Sequence, residues 1–375
     1  MRDQSIFLTG ATGAVGRDLL RTLAARHGLR INVLVRRTDR RPCDRIKAIL
    51  GDLDVMAKIN VVEGDISCGS ALGVEGDALA TLRRETTHII HAAGTTSFTL
   101  PLAAARAANV DGTRNVLDFA GSCASLESGA FLSTVYVSGK RRGIFAEWEY
   151  GDRGEGFVNS YEQSKAEMEA VVRDAMCELP LSLVRLSTVV GDSATGRVSG
   201  FNTIHHAIRL LYNGLAPMIP GDPAEPVDIV SSDFVSAAVL HLVENAEPGV
   251  FHLAAGRDSS SSLDDLIGET VSALTRFRPA WRKRAVERPL IVDLDTYELF
   301  VRSVEETGNE VLKGATRSIR TFAYQLAHPK VFVTNRAAAI LDGSGIAPQR
   351  SSEFYPRVVQ YCLESNWGHA HADRH

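Results

Sequence analysis

The chain has 375 residues, 45% hydrophobic and 23% charged, with a formal net charge of -4. That composition suits a globular chain with ample material for a large core, in one domain or two. The mild acidity gives no electrostatic reason to expect nucleic-acid binding, and no uncharged apolar run approaches the roughly 18–20 residues that span a bilayer.

Cys43, Cys68, Cys123, Cys177 and Cys362 show neither C-x-x-C nor any metal-ligand spacing, so no metal site is expected. An odd, scattered set suits a reducing compartment. Met1 is followed within a few residues by the first strand, which leaves no room for a signal peptide. The expected location is cytoplasmic.

Ile6 to Leu8 reads as a strand buried on both faces. Gly10, Gly13 and Gly16 follow, and then Val15, Leu19, Leu20 and Leu23 share one helical face. Strand, glycine turn and helix present backbone N–H groups and a helix N-terminus to a pyrophosphate. The spacing is G-x-x-G-x-x-G, which differs from the G-x-G-x-x-G fingerprint. A second strand, Ile31 to Val35, ends in Arg36-Arg37, where a carboxylate would grip a ribose 2′-hydroxyl. A guanidinium pairs with a 2′-phosphate instead, so these arginines favour NADP(H) over NAD(H). The plainer reading is a solvated basic loop with Arg40 and Arg41.

A third strand, Ile59 to Glu63, leads into Gly64-Asp65-Ile66. Asp65 can accept from an adenine amino group with Ile66 against the ring, or can be a turn aspartate. A fourth strand, His88 to His91, runs into Ala92-Ala93-Gly94, small residues that allow a ligand close to the backbone. His88 and His91 face opposite ways and read as packing residues. Ala130 to Leu132 forms the fifth strand and ends in Ser133-Thr134-Val135-Tyr136-Val137-Ser138-Gly139. Tyr161 and Lys165, four apart, share a face of the next helix. Cys123 and Cys177 read as core residues of helices.

Taken together, T-G-A-T-G-A-V-G at 9–16, G-D-I at 64–66, H-A-A-G at 91–94, S-T-V-Y-V-S-G at 133–139 and Y-E-Q-S-K at 161–165 resemble the extended short-chain dehydrogenase/reductases. Within that superfamily the chain looks like the thioester reductase and fatty acyl-CoA reductase (male-sterility-like) branch. Asn159 to Glu167, Val184 to Ser193, and Ile219 to Asp222 with Val227 to Val230 carry the finer likeness, and Leu186 stands where that branch usually has proline. The superfamily likeness covers about residues 5–270.

The resemblance implies an α/β fold: a Rossmann-type doubly wound parallel sheet with a smaller, mostly helical C-terminal substrate-binding region. It implies Thr134, with Ser133 as fallback, and Tyr161 and Lys165 as the catalytic set. Gly10, Thr12, Gly13, Ala14, Val15 and Gly16 would line the pyrophosphate. Asp65 and Ile66 would flank adenine, Ala92, Ala93 and Gly94 the ribose, and Leu186 and Val189 the nicotinamide end. Lys165 would also hold the ribose. Negative charge building on a reduced carbonyl would then meet two hydroxyl donors, and the Lys165 ammonium would favour the Tyr161 phenolate. The implied activity is NADPH-dependent reduction of an acyl thioester, presented by coenzyme A or an acyl or peptidyl carrier protein, to an aldehyde and then an alcohol. The alternatives are a nucleotide-sugar epimerase or dehydratase, a ketone or sterol-type dehydrogenase, and a non-catalytic nucleotide-sensing module.

The expected division is a cofactor core over 1–190, mixed substrate-binding segments with the last core strand over 191–274, and a helical cap and tail over 275–375. Leu183 to Arg185 reads as a strand, Phe201 to Leu215 as an amphipathic helix, Gly249 to Ala254 as the last strand, and Ser259 to Ser262 as a capping linker. His205 and His206 read as surface or pocket residues of their helix. Arg276, Arg278, Arg282, Lys283, Arg284 and Arg288 crowd round Trp281, either as a solvated loop or as a grip on the phosphates of a thioester carrier. Helices are expected around Leu294 to Val304 and over Val358 to Glu364, and a frayed tail over His369 to His375.

Overall fold

The computed structural model describes residues 4–51, 56–284 and 288–368, and leaves out the side chains of 282–284 and 321. Its centre is a parallel sheet of seven strands. In chain order the strands are β1 (Gln4–Thr9), β2 (Leu29–Val35), β3 (Ile59–Glu63), β4 (His88–His91), β5 (Ser128–Thr134), a short β6 (Gly143–Phe145), β7 (Leu181–Leu186), β8 (Thr188–Gly191), β9 (Met218–Pro220), β10 (Pro226–Val227), β11 (Ile229–Ser231), β12 (Gly249–Leu253), β13 (Ser261–Ser262), β14 (Leu290–Val292) and β15 (Lys330–Phe332). The large sheet runs β12-β7-β5-β4-β1-β2-β3. Ile6 lies between Ile31 of β2 and His88 of β4, so the strand order reverses at β1. A doubly wound sheet opens its ligand crevice at that point, beyond the carboxyl ends of the strands.

The helices are α1 (Ala14–Ala24), α2 (Pro42–Leu50), α3 (Gly76–Glu85), α4 (Leu102–Arg106), α5 (Gly112–Gly121), α6 (Ser160–Ala175), α7 (Thr203–Tyr212), α8 (Ser232–Glu244), α9 (Leu263–Phe277), α10 (Leu294–Glu306), α11 (Glu310–Leu326), α12 (Asn335–Leu341) and α13 (Ser351–Glu364). Side-chain alternation along β1 sorts the core into two layers. Ile6 and Leu8 join Leu19, Leu20 and Leu23 of α1 and Val235 and Val239 of α8. Phe7 turns the other way, onto Phe119 of α5 with Met168 and Val172 of α6. Ala337 and Leu341 of α12 return to the first layer. A separate core gathers Ile204 and Ile208 of α7, Leu266 of α9, Trp281, and Phe354 and Val358 of α13. No helix of the described residues is long and apolar enough to cross a membrane.

Several local expectations change. Cys177 is exposed in the turn after α6, and Cys123 is only half-buried after α5, so neither is a core residue of a helix. The chain also forms α11, which the sequence reading passed over, and α13 begins at Ser351, two turns before Val358, in spite of Pro356. Trp281 is buried, stacked on Tyr212 and donating to its carbonyl at 2.7 Å, so the basic stretch is anchored at its centre. Arg278 donates to the Leu363 carbonyl at 3.5 Å and Arg288 pairs with Asp264. The side chains of Arg282, Lys283 and Arg284, and the tail from His369, lie outside the described residues. Of the two histidines of α7, His205 is buried between the Asn202 backbone N–H and the Val190 carbonyl, with Nε2 2.8 Å from the latter.

Candidate active site

The first turn of α1 is built to face an anion. Gly10 turns at φ 75°, and a Cβ there would lie 2.4 Å from the Ala92 carbonyl carbon, so only glycine lets β1 and β4 end side by side. A Cβ on Gly16 would lie 2.0 Å from the Gly10 oxygen. Gly13 is the N-cap, no side chain caps the helix, and no acidic residue stands in its first turn. The N–H groups there have no intrahelical partner, and the dipole favours negative charge, so a pyrophosphate fits. The segment 197–200 packs over this turn. Arg17 donates to the Ser199 carbonyl at 2.7 Å, and Ser199 donates to Asp18 at 2.6 Å.

A cleft of about 510 Å³ runs from this turn along the strand ends. Its lining brings together Gly13, Ala14, Val15, Gly16, Ala92, Ala93, Gly94, Thr134, Tyr161, Lys165, Leu186 and Val189. Gly10, Thr12, Arg36, Arg37, Asp65 and Ile66 stand outside that lining. The last four gather at the ends of β2 and β3. Arg36 lies 3.8 Å from Asp65, and Arg37 lies 3.2 Å from Glu63. Asp65 accepts from the Ser67 N–H and hydroxyl, both at 2.9 Å, and so serves as a turn aspartate too. Ile66 packs over Gly112 at the start of α5.

Thr134 ends β5 and lines the same cleft as Tyr161, where its hydroxyl favours the phenolate. Ser133 has a different partner, donating to buried Glu169 at 2.6 Å. The alternation of the strand therefore separates the two candidates, and Thr134 is the one beside the phenol. Asn159 caps α6, accepting from the Glu162 N–H at 2.9 Å, which sets Tyr161 in the first turn. Phe98 lies against the Tyr161 ring, centroids 5.5 Å apart. Burial pushes the phenol up to about 12, against the nearby Thr134 hydroxyl that lowers it. The Lys165 ammonium donates to the Leu132 carbonyl at 2.7 Å, and burial pulls it down to about 8 while Glu169 supports its charge. The shift therefore runs opposite to the lowering expected from Lys165: burial outweighs it, and the proton donor keeps its proton.

Four contributing residues are not marked as site residues by the sequence. Arg45 of α2 donates to the Thr12 hydroxyl at 3.1 Å and to the Arg36 carbonyl at 2.7 Å, adding a guanidinium beside the end of β2. Asn109 lies in a π-turn, Ala107–Asp111, between α4 and α5. It accepts from the Thr95 N–H at 2.8 Å and donates to Ser164 at 2.9 Å, tying the loop after Gly94 to α6. Phe322 and Gln325 of α11 close the far wall of the cleft. Arg45 follows Arg36 by nine residues, a spacing that a helix after β2 makes meaningful. No local signal marks the others.

Glycine betaine reductase ATRR of Emericella nidulans is 29% identical over 267 residues, 67% of this chain and 21% of that protein. Fatty acyl-CoA reductase wat of Drosophila melanogaster is 24% identical over 279 residues, 64% of this chain and 54% of that protein. The chain thus spans about a fifth of the first relative's length and about half of the second's. The terminal R domain from the myxalamid PKS-NRPS biosynthetic pathway superposes with a TM-score of 0.79 at 24% identity, over 98% of this chain and 92% of that one, a likeness of fold. The chain belongs to the NAD-binding Male sterility protein family, whose sequence model matches residues 8–239.

Proposed function

We propose that the chain is an NADPH-dependent reductase of an acyl thioester held by coenzyme A or a carrier protein. The observation that carries this reading is the Thr134–Tyr161 hydroxyl pair, opening onto one cleft with the glycine turn of α1. Held by the glycine turn, Ala92 to Gly94 and Lys165, NADPH would supply the hydride that reduces the thioester carbonyl. Negative charge then develops on the carbonyl oxygen, within reach of two hydroxyl donors. Tyr161 gives its proton to that oxygen, Thr134 holds the oxygen in place, and Lys165 holds the ribose. The C–S bond of the hemithioacetal breaks, the thiol leaves and an aldehyde remains; a second reduction gives the alcohol. Phe98, Phe201, Ile204 and Phe322 give the cleft an apolar wall suited to an acyl chain. The name of the fatty acyl-CoA reductase relative supports a thioester over a nucleotide sugar. The test is NADPH oxidation with acyl-CoA and acyl-pantetheine thioesters beside free ketones and nucleotide sugars. Turnover of ketones alone, or of nucleotide sugars, sinks the reading.

Arg36, Arg37 and Arg45 support NADPH over NADH, since all three stand at or beside the end of β2, where a guanidinium would pair with a 2′-phosphate. The expected result for R36A/R45A is a rise of about tenfold or more in KM for NADPH, one to two charge-assisted hydrogen bonds, with KM for NADH little changed. Lys165 adds a pH dependence. Below about 8 it is an ammonium able to bind the dinucleotide, and above that it is a neutral amine. The dissociation constant for NADPH should therefore rise as pH passes upward through that value. K165M should abolish the step, as read by NADPH fluorescence.

A further inference from the structure

Glu162 follows Tyr161, and its side chain is 1% exposed. Oε2 accepts from the Val158 N–H at 2.9 Å, and Oε1 accepts from Asn159 Nδ2 at 3.2 Å and Gln325 Nε2 at 2.7 Å. All three partners donate, so the arrangement takes a carboxylate with both oxygens accepting. The first two bonds are local, and they suit any acidic residue in the first turn of a helix. The third spans 163 positions. Gln325 lies in the last turn of α11, is 6% exposed, and forms part of the cleft wall that faces Thr134 and Tyr161. Its Oε1 accepts no hydrogen bond among the described residues. Phe322, one turn earlier, stands in the same wall.

One charge-assisted hydrogen bond therefore joins the N-terminus of the Tyr161 helix to the helix that roofs the cleft. We propose that Glu162 and Gln325 form a clasp that positions Tyr161 against the substrate, so that the proton donor and the roof keep one fixed separation. Both are positioning residues, acting through Tyr161. The clasp rests on the reading of Tyr161 as proton donor. Burial pushes the Glu162 carboxyl up, while the donors on its oxygens and buried Lys330, which donates to the His328 carbonyl at 2.8 Å, favour the charged form.

The test is a reciprocal swap in the full chain. Q325E sets two carboxylates face to face and opens the clasp, whereas E162Q/Q325E returns one amide and one carboxylate to the pair. Q325L removes the donor without adding charge, and covers the case in which Q325E fails to fold. With 3-fluorotyrosine at position 161, the fluorine resonance should move or broaden in Q325E and Q325L, and return in E162Q/Q325E. With the thioester that the wild type reduces best, kcat should fall by about tenfold, the scale of one lost charge-assisted hydrogen bond, and recover in the double variant. NADPH affinity should change less than kcat throughout, because neither clasp residue is assigned to the dinucleotide. A resonance indifferent to Q325E and Q325L, or a double variant no better than Q325E in kcat, overturns the clasp. A wild type that reduces no thioester, with the resonance responding as stated, overturns the proposed function and leaves the clasp standing.

Discussion

Y161F is expected to lower kcat for thioester reduction by about a hundredfold to ten-thousandfold, the range for losing a positioned general acid, while leaving NADPH affinity intact. The phenol is poised for this one direction of transfer. Burial has pushed it up to about 12, so it is protonated at any working pH and needs no neighbour to load it. Thr134 lines the same cleft, so the two hydroxyl groups open onto one space before a carbonyl oxygen arrives. T134V should cost about a hundredfold to a thousandfold in kcat, as for one oxyanion donor. S133A should act otherwise: its hydroxyl serves Glu169, so it should affect stability more than the chemical step. Effects within one acting unit do not add, so Y161F/T134V should be little slower than Y161F alone. Single-turnover NADPH oxidation at saturating substrate checks all of these. A Y161F variant with kcat within about threefold of wild type contradicts the assigned role.

What the sequence disclosed was local. The glycine turn was legible because strand, turn and helix are contiguous, and each glycine answers to a contact within that unit or with β4. Tyr161 and Lys165 were legible because four residues is one helical turn. The strands of the parallel sheet were legible as short apolar runs alternating with helices, while their spatial order is read from the structure. What remained hidden was long-range. Gln325 reaches Glu162 from α11, whose helical periodicity is present in the sequence but says nothing of a partner 163 positions away. The short pairs β6–β15, β9–β14 and β10–β13 are two or three residues long and carry no pattern of their own. Cys177 was misplaced because the end of α6 was set too late: the helix stops at Ala175, and the thiol falls in the turn beyond. The titration of Tyr161 shifts opposite to the expected direction, because burial outweighs its neighbours. Spacing places Lys165 on the same face, but only the packed structure shows its ammonium bound to the Leu132 carbonyl.

Behind the site lies an ion pair whose disruption should carry the largest cost in stability. Arg185 of β7 and Glu169 of α6 are 0% and 3% exposed at their side chains. Arg185 Nε lies 2.9 Å and 3.2 Å from the two carboxylate oxygens, and Nη2 lies 2.7 Å from one of them. Ser133 donates to the same carboxylate, and Arg185 Nη1 lies 3.1 Å from His252 Nε2. Burial, with Arg185 beside it, pulls His252 down to about 3, so the ring is neutral; Nε2 accepts and Nδ1 donates to the Val333 carbonyl at 2.9 Å. The pair is thus satisfied on every side, and removing one member strands the other charge where water cannot reach it. E169A or R185M should each cost about 3–5 kcal/mol in unfolding free energy, by urea titration. E169L/R185M should recover most of that loss, because two apolar side chains need no partner. Function should separate from stability here. Glu169 supports the charge of Lys165 across one turn of α6, so E169L/R185M should move the pH step in NADPH affinity below about 8 even where the fold is restored. A double variant with regained stability and an unmoved pH step would show that Lys165 takes its charge from the carbonyl of Leu132 alone.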